Sequence, residues 1–339
     1  MRKLLNVLYV TVQGAYLAKD GETVAVRVEQ ETRLQVPVHT LEGIVCFGQV
    51  SMSPFLMGFC AEKNVGVSFL TEHGRFLARV VGAAHGNVLL RRTQYRNADD
   101  LAASGLLAQA VLLGKIANVR TVLLRAAREH PSPALDAAVV ALAHSLRIAE
   151  SESSLDTLRG IEGDAAQNYF AVFNEMIVAQ QQDFVFHERS RRPPLDNVNA
   201  LLSFLYVLLA HDVASALETV GLDPAVGFLH RDRPGRSGLA LDLMEELRPV
   251  LADRLVLSLI NRRQVGPDGF TRSETGGIQM NDATRKEVLV AWQKRKQEEI
   301  QHPFLGERIS LGLVPYVQAL LMARHLRGDL DAYPAFFWR

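Results

Sequence analysis

The sequence predicts an α+β protein, with a small mainly β N-terminal domain (a sandwich or twisted sheet) followed by a large α-helical domain. The chain has 339 residues, more than one hydrophobic core usually serves, so two domains are expected. Residues 1–86 contain many short β-branched and aromatic runs that Gly, Asp or Pro interrupt. From residue 87 onward, good helix formers dominate and apolar positions recur with a period near 3.6. We therefore assign the domains to residues 1–86 and 87–339.

The N-terminal domain is predicted to contain several strands and one short helix. Strands are expected in LLNVLYVTV, YLAKDGETVAVRVE, RLQVPVHTL, GIVCFG, VGVSFLT and GRFLARVVG. The pair Asp20-Gly21 separates two of these runs and predicts a β-hairpin. In residues 53–64, apolar side chains recur at helical spacing, which predicts the helix.

The C-terminal domain is predicted to be a set of helices joined by loops. A long helical region follows residue 87 and is broken by Pro131 and Pro133. The loop at residues 187–197 is basic and proline-marked, and a second loop covers residues 264–277. The later helices are expected near residues 134–150, 161–178, 196–219, 239–261, 282–299 and 311–327.

Charge and composition limit the possible functions and locations. The chain has 37 basic and 37 acidic residues, which argues against coating of nucleic acid through bulk charge but allows a local basic groove. Its two cysteines indicate a reducing compartment without a disulfide framework. Polar residues interrupt the apolar N-terminus, and no apolar stretch is expected to reach the length of a membrane span. We therefore expect a cytoplasmic protein with no membrane segment.

A candidate metal site lies in residues 230–249. His230 ends an apolar segment, and the following helix carries Asp242, Glu245 and Glu246. Positions three and four apart share a helix face, but spacing alone does not choose between Glu245 and Glu246. Carboxylates beside an imidazole suit Mg²⁺ or Mn²⁺. The alternative is a solvated helix whose acids pair with nearby arginines, and a histidine with only a structural role.

Arginines near this segment are candidates for contacts with a phosphate backbone. Three lie in the loop just before the helix and one within the helical region; the proline-marked loop supplies weaker candidates. For each of them, a surface salt bridge is the alternative interpretation. The first group is Arg231, Arg233, Arg236 and Arg248, and the second is Arg189, Arg191 and Arg192.

A further acidic candidate, Glu162, lies in GIEGDAAQNYFAVF, near the start of a predicted helix. A favourable interaction with the helix dipole is sufficient to explain an acid at that position. No GxxxxGK[ST], GxSxG, HExxH or CxxC signature occurs in the chain. The residues alone therefore leave the role of Glu162 open.

Taken together, these segments resemble the CRISPR-associated protein 1 family, the integrase of CRISPR adaptation. GIEG running into a Tyr-Phe helix, then GFLH, an arginine-bearing loop and LALDLMEELRP carry the resemblance. YVTVQGAYLAKDGE, LEGIVCFG, NVLLRRTQYR, SRRPPLDNVNALLSFLYVLLAHDVASALETVGLDPAVGFLHRDRPGR and GLVPYVQALLMARHLRGDLDAYPAFFW look like members of subtype I-C. The resemblance covers essentially the whole chain.

The resemblance implies a metal site and assigns its residues. Glu162, His230 and Glu245 would bind Mg²⁺ or Mn²⁺, and Asp242 would complete the shell or orient a bound water. The resemblance thus favours Glu245 over its neighbour in the sequence. One departure is Gly238, where many relatives carry a bulkier residue; we expect it to loosen the start of the helix without removing a ligand.

The resemblance also implies a function and partners. The 3′-OH of an incoming double-stranded DNA fragment would attack a phosphodiester at the edge of a CRISPR repeat, and water in its place would make the site an endonuclease. The family forms homodimers, here expected through the N-terminal domain, which a small second CRISPR-associated protein bridges. Alternatives are a structure-specific DNA endonuclease without an integration role, a catalytically inactive DNA-binding scaffold, and a hydrolase of small phosphoesters.

Overall fold

The chain forms two compact units, Met1–Gly86 and Asn87–Arg339, which are considered separately. The predicted boundary between residues 86 and 87 lies outside the described residues. The strand-rich first unit and the larger helical second unit confirm the predicted fold class. The structure, a computed structural model, describes residues 6–72, 74, 76–82, 88–274 and 276–338.

The described part of the first unit has eight strands in two four-stranded sheets. The strands are β1 (Val7–Val10), β2 (Tyr16–Asp20), β3 (Thr23–Val28), β4 (Glu31–Pro37), β5 (Gly43–Phe47), β6 (Ser51–Met52), β7 (Gly66–Leu70) and β8 (Phe76–Val80). One sheet has the order β1-β5-β7-β8, with β1, β5 and β7 parallel and β8 antiparallel to β7. The other has the order β4-β3-β2-β6, antiparallel except that β6 runs parallel to β2.

The predicted hairpin and the predicted short helix are both present in this unit. β2 and β3 pair antiparallel, and Gly21 adopts φ +57° in the turn, a conformation that favours glycine. The helix α1 spans Pro54–Glu62, and Ser53 caps it by accepting a hydrogen bond from Leu56 N at 3.2 Å. Both sheets and α1 contribute side chains to one apolar core.

The second unit is mainly helical. Four short strands form two antiparallel pairs that the apolar periodicity did not predict: β9 (Phe270–Arg272) with β10 (Ile278–Met280), and β11 (Glu299–Gln301) with β12 (Arg308–Ser310). The helices are α2 (Val88–Asp99), α3 (Leu101–Glu129), α4 (Pro133–Glu150), α5 (Leu155–Ala171), α6 (Asn197–Thr219), α7 (Gly238–Glu245), α8 (Arg254–Asn261), α9 (Asp282–Gln297) and α10 (Val314–Leu326).

Several helix boundaries differ from the prediction, and the larger differences lie in three places. The helical region after residue 87 divides at Asp100, whose carboxylate caps α3 by accepting from Ala102 N and Ala103 N. The single helix predicted over residues 239–261 is interrupted by a π-helical segment, Arg248–Asp253, between α7 and α8. Such segments are rare and occur frequently at functional sites. The third difference is α5, which begins six residues earlier and ends seven residues earlier than predicted.

Among the described residues, α3 and α6 are long and apolar enough to cross a membrane by length and composition alone. The expectation that no apolar stretch reaches this length is therefore wrong. More than half of each apolar window is buried inside the structure, as in the core helices of folded domains. The absence of a membrane segment stays a prediction.

Candidate active site

Asp242 holds His230 in place. The Asp242 side chain is fully buried on α7. Its Oδ1 accepts a hydrogen bond from His230 N at 2.9 Å and lies 2.6 Å from His230 Nδ1. Its Oδ2 accepts from Phe228 N at 2.6 Å and from Leu229 N at 3.0 Å. A carboxylate has about four acceptor sites, and all are occupied, so Asp242 orients the imidazole. The expectation that it completes a metal shell or orients a water stays a prediction.

Two glycines allow the His230 loop to approach α7 this closely. A Cβ on Gly227 would lie 2.6 Å from the carbonyl carbon of Gly238 and 2.8 Å from Asp242 Oδ2. A Cβ on Gly238 would lie 2.7 Å from Ala225 O, which already accepts a hydrogen bond from Gly238 N at 2.9 Å. Gly238 therefore permits tight packing at the start of α7, and the expectation that it loosens the helix is wrong.

Glu162 and Glu245 meet at Lys115. The three residues lie on α5, α7 and α3, respectively. Lys115 Nζ binds Glu162 Oε1 and lies 2.8 Å from Glu245 Oε2. Glu162 is the eighth residue of α5, too far from the helix N-terminus for the dipole to explain it. Sequence reasoning missed Lys115, since nothing in the apolar context of α3 marks it.

Glu245 is a buried carboxylate surrounded by cationic and imidazole groups. Its side chain is 2% exposed, and Arg248 Nη1 lies 2.6 Å from Oε1. His230 Nε2 lies 3.9 Å from the same oxygen. Burial alone would raise the pKa of Glu245, but Arg248, Lys115 and His230 outweigh it and lower the pKa from 4.5 to about 2. Glu245 is therefore ionised at neutral pH.

The two acids that spacing left equivalent lie in different surroundings. Glu246 accepts hydrogen bonds from Phe336 N at 2.6 Å, Tyr333 Oη at 2.8 Å and Gln318 Nε2 at 3.1 Å. Burial raises the pKa of Glu246 to about 8 despite these bonds. Glu245, by contrast, contacts the same lysine as Glu162. The structure thus groups Glu245 with Glu162 and places Glu246 in a network with residues 333–336.

The donor set fits a divalent cation in its chemistry. Glu162 and Glu245 offer oxygens, and His230 directs Nε2 towards Glu245 while Asp242 holds Nδ1. A carboxylate on the second ring nitrogen is the usual arrangement for a metal-binding histidine. Within the described ranges, no three His, Cys, Asp or Glu side chains form a ready-made cation cluster. Here the Lys115 ammonium binds the two carboxylates.

A cavity of about 630 Å³ lies beside His230, and Arg231 also lines it. Arg231 Nη2 donates to Asp156 Oδ1 at 2.5 Å, and Arg159 Nη1 donates to the same oxygen at 2.9 Å. Arg159 Nε also donates to Leu229 O at 2.8 Å, which fixes the backbone next to His230. Sequence reasoning missed Arg159 because its partner lies seventy residues away.

A second cavity, of about 40 Å³, lies on the side of Glu162 and Glu245. Of the arginines predicted to contact phosphate, it is lined by Arg189, Arg191 and Arg248. Arg248 pairs with Glu245 and neutralises that carboxylate in this structure, but the pair is buried, unlike the surface salt bridge of the alternative interpretation. The remaining candidates line neither cavity within the described part of the chain: Arg192 and Arg233 are exposed, and Arg236 is half-buried.

Behind Arg248 lies a buried acid that the sequence did not indicate. Asp253 ends the π-helical segment and is 1% exposed. It accepts hydrogen bonds from Tyr206 Oη at 2.7 Å and Tyr169 Oη at 3.1 Å. The Arg248 guanidinium lies 4.9 Å from the centre of the Tyr206 ring. Arg248 therefore packs against the ring of Tyr206, and Asp253 holds the hydroxyl of that tyrosine.

Asp253 is expected to make stability depend on pH. Burial raises its pKa from 3.8 to about 6, although the tyrosines and Arg248 oppose this. A raised folded-state pKa means that the folded chain binds the proton more tightly. The contribution of Asp253 to the free energy of unfolding is therefore fully present below pH 3.8 and is lost as pH rises through 6.

We expect the unfolding free energy of wild type, relative to that of Asp253→Asn, to fall by about 2 kcal/mol from pH 4.5 to pH 7. Denaturant titrations at both pH values measure it, and a constant difference would contradict the prediction.

Comparison with known proteins gives consistent matches. The family model described as CRISPR associated protein Cas1 matches residues 8–294. The chain is 53% identical to the "CRISPR-associated endonuclease Cas1 1" of Chlorobaculum tepidum, with all of both chains covered. A solved CAS1 protein from Thermotoga maritima superposes with a TM-score of 0.84 at 23% identity, covering 97% of this chain and 98% of that one. A casposase bound to integration product superposes with a TM-score of 0.84 at 20% identity, covering 98% of this chain and 94% of that one. These two structures share the fold.

Proposed function

The chain belongs to the CRISPR-associated Cas1 family, and we propose that it is a divalent-metal-dependent DNA integrase and endonuclease of CRISPR adaptation. The convergence of Glu162, Glu245 and His230 Nε2 carries this proposal. A hydrolase of small phosphoesters would need the same donors but not the arginines beside them. The full-length relative named an endonuclease supports the nuclease activity, and the shared fold of the casposase supports the integrase activity. We also propose that the chain belongs to subtype I-C.

Glu162, Glu245 and His230 would hold Mn²⁺ or Mg²⁺. When bound, such an ion stabilises negative charge on phosphate oxygens and lowers the pKa of an attacking hydroxyl. Asp242 keeps Nδ1 of His230 engaged, so Nε2 is the nitrogen available as a ligand. Arg248 offsets the charge of Glu245 and keeps that carboxylate ionised despite its burial.

The reaction we propose is a transesterification. The 3′-OH of the incoming DNA fragment attacks the phosphorus of a phosphodiester at the edge of the repeat. A new P–O bond forms as the bond from phosphorus to the 3′ oxygen of the target strand breaks, and the proton of the attacking hydroxyl is lost as the leaving 3′ oxygen gains one. Water attacking the same phosphorus gives hydrolysis, so one site supports both activities.

The surroundings of the site suit a DNA backbone. Arg231 lies at the cavity beside His230, and Arg191 lies at the cavity beside Glu162. Guanidinium groups bind phosphate through paired hydrogen bonds. We propose that these two contact phosphates nearest the reacting bond. Arg192, Arg233 and Arg236 would contact the strand further away.

The family relationship also suggests the assembly. We propose a cytoplasmic homodimer, formed through the N-terminal unit, that binds double-stranded DNA and is bridged by the small second CRISPR-associated protein. No membrane is involved in this proposal.

An integration assay tests the proposed function. A labelled duplex with free 3′-OH ends is incubated with the chain, the bridging protein, Mn²⁺ or Mg²⁺, and a supercoiled plasmid carrying a repeat. We expect the label to become joined to the plasmid at the repeat edge. The matched control is the same duplex with 3′-deoxy ends, which lacks the nucleophile and is expected to give no joining.

Each alternative has its own outcome in this assay. Cleavage of DNA without joining would support a structure-specific endonuclease and reject the integrase. Binding without cleavage or joining would indicate an inactive scaffold. Hydrolysis of a small phosphodiester with no reaction on DNA would indicate the small-molecule hydrolase.

Phosphate contact by Arg231 is expected to appear in the salt dependence of DNA binding. Each neutralised phosphate contributes a slope of about −0.9 in log K against log salt. Arg231→Gln is therefore expected to make the slope less steep by about 0.9. Arg327→Gln is a matched control, because Arg327 is also a surface arginine paired with an aspartate but lines neither described cavity. An unchanged slope in Arg231→Gln would remove Arg231 from the DNA interface.

A further inference from the structure

Lys115 links the two proposed ligand carboxylates. Its ammonium binds Glu162 Oε1 and, at 2.8 Å, Glu245 Oε2. The lysine side chain is only 10% exposed, compared with 31% for Glu162 and 2% for Glu245. A lysine usually keeps its ammonium in water. Its burial against two carboxylates is therefore a built ion-pair network that joins α3, α5 and α7.

The ion pairs of Lys115 reduce the repulsion between Glu162 and Glu245. Two carboxylates held close together in a poorly hydrated place repel each other. Arg248 Nη1 lies 2.6 Å from Glu245 Oε1 and also interacts electrostatically with Glu162. Lys115 forms an ion pair with both acids, through one oxygen of each. Without it, the repulsion between Glu162 and Glu245 would be offset less fully.

A divalent cation needs the same groups. Carboxylate oxygens of Glu162 and Glu245 are its proposed ligands, and these oxygens now contact Nζ. An ammonium and a divalent cation cannot both bind them at ligand distance, because like charges at that separation repel strongly.

We propose that the Lys115 ammonium occupies the cation position of the metal-free chain and is displaced from the two carboxylates when a divalent cation binds. The inference rests on the proposed function, since it assumes that Glu162 and Glu245 are metal ligands. Lys115 then has two opposite effects: it stabilises the fold without metal, and it weakens metal binding by competing for the ligands. A purely structural lysine would show only the first effect.

The experiment compares wild type with Lys115→Met, which keeps the length of the side chain and removes its charge. Mn²⁺ binding is measured by titration calorimetry in the absence of DNA, and melting temperatures are measured in EDTA and in excess Mn²⁺. We expect Lys115→Met to bind Mn²⁺ about tenfold more tightly, which is about 1.4 kcal/mol. We also expect it to melt several degrees lower in EDTA and to gain more from Mn²⁺ than wild type does.

Lys296→Met provides the matched control. Lys296 is also a buried lysine in an ion pair, 3% exposed and 2.8 Å from Asp212 Oδ2. Its replacement should also lower the melting temperature in EDTA, because it leaves the half-buried carboxylate of Asp212 without its lysine. Its affinity for Mn²⁺ should equal that of wild type. The pair of variants separates loss of stability from competition with metal.

The possible outcomes distinguish the competition between Lys115 and metal from the existence of the metal site. If wild type binds Mn²⁺ and Lys115→Met binds it equally or more weakly, the competition is refuted while the metal site stands. If wild type binds no Mn²⁺, both the metal site and the competition fail. If Lys115→Met does not fold, Lys115→Gln replaces it under the same criteria.

Discussion

Glu245→Gln is expected to lower DNA cleavage and strand transfer by at least about a thousandfold, whereas Glu246→Gln should change either rate less than about threefold. The first substitution removes the negative charge of a proposed metal ligand that also faces His230 and Arg248. The second alters a carboxyl whose partners are Gln318, Tyr333 and the backbone of Phe336. Adjacent residues of one helix therefore have very different expected effects.

Cleavage of a labelled duplex in Mn²⁺, together with the integration assay, measures both rates. Glu246→Gln also acts as the control for folding, because it disturbs a buried network and is expected to reduce stability by about 1–3 kcal/mol. Thermal melts of both variants show whether the inactive protein is folded. Comparable activity in the two variants, or greater loss in Glu246→Gln, would refute the assignment of Glu245.

Asp242→Asn is expected to reduce Mn²⁺ affinity and cleavage by about 10–100-fold, the usual effect of losing the partner of a metal-binding histidine. It should also reduce the unfolding free energy by about 1–3 kcal/mol. The cause is local: an amide has one acceptor oxygen, whereas the backbone amides of residues 228, 229 and 230 and the imidazole all require one. His230 would then lose its fixed orientation.

The measurements are Mn²⁺ titration calorimetry, cleavage rates and denaturant unfolding. Asp223→Asn is the matched control, since Asp223 lies in the same loop and its Oδ1 accepts from Ala225 N at 2.8 Å. That acceptor is retained in asparagine, and the bond that Oδ2 accepts from Tyr95 Oη at 2.8 Å is exposed, so activity should stay within about threefold of wild type. If Asp242→Asn lost stability but bound Mn²⁺ normally, Asp242 would be a folding residue with no role in the site.

The fold was predictable where local pattern determines it. The change from β-type runs to helical periodicity separates the two units, and Asp20-Gly21 identifies a hairpin. Patterns failed where a local signal was overlooked or where the element is very short. Ser154 precedes the start of α5 at Leu155, and Pro249 lies at the start of the π-helical segment Arg248–Asp253, but the predicted helices used neither signal. The pairs β9–β10 and β11–β12 are too short to show a period.

The candidate site was predictable in part, for the same reason. Spacing found the acids near His230 but could not separate Glu245 from Glu246, because both lie within one turn of Asp242. The family resemblance favoured Glu245, and the structure shows their different partners. Lys115 and Asp253 were not found, because each lies within an apolar helical stretch and meets partners far away along the chain.

The network around Glu246 has a consequence for the order in which the protein is made. Glu246 directly follows Glu245, and two of its partners are Tyr333 and Phe336. In the same region, the Trp338 amide donates to Asn118 on α3, the helix that also carries Lys115. During synthesis, α3 and α7 exist long before residues 333–338 leave the ribosome. The reaction centre of a nascent chain thus lacks this support until residues 333–338 have been synthesised.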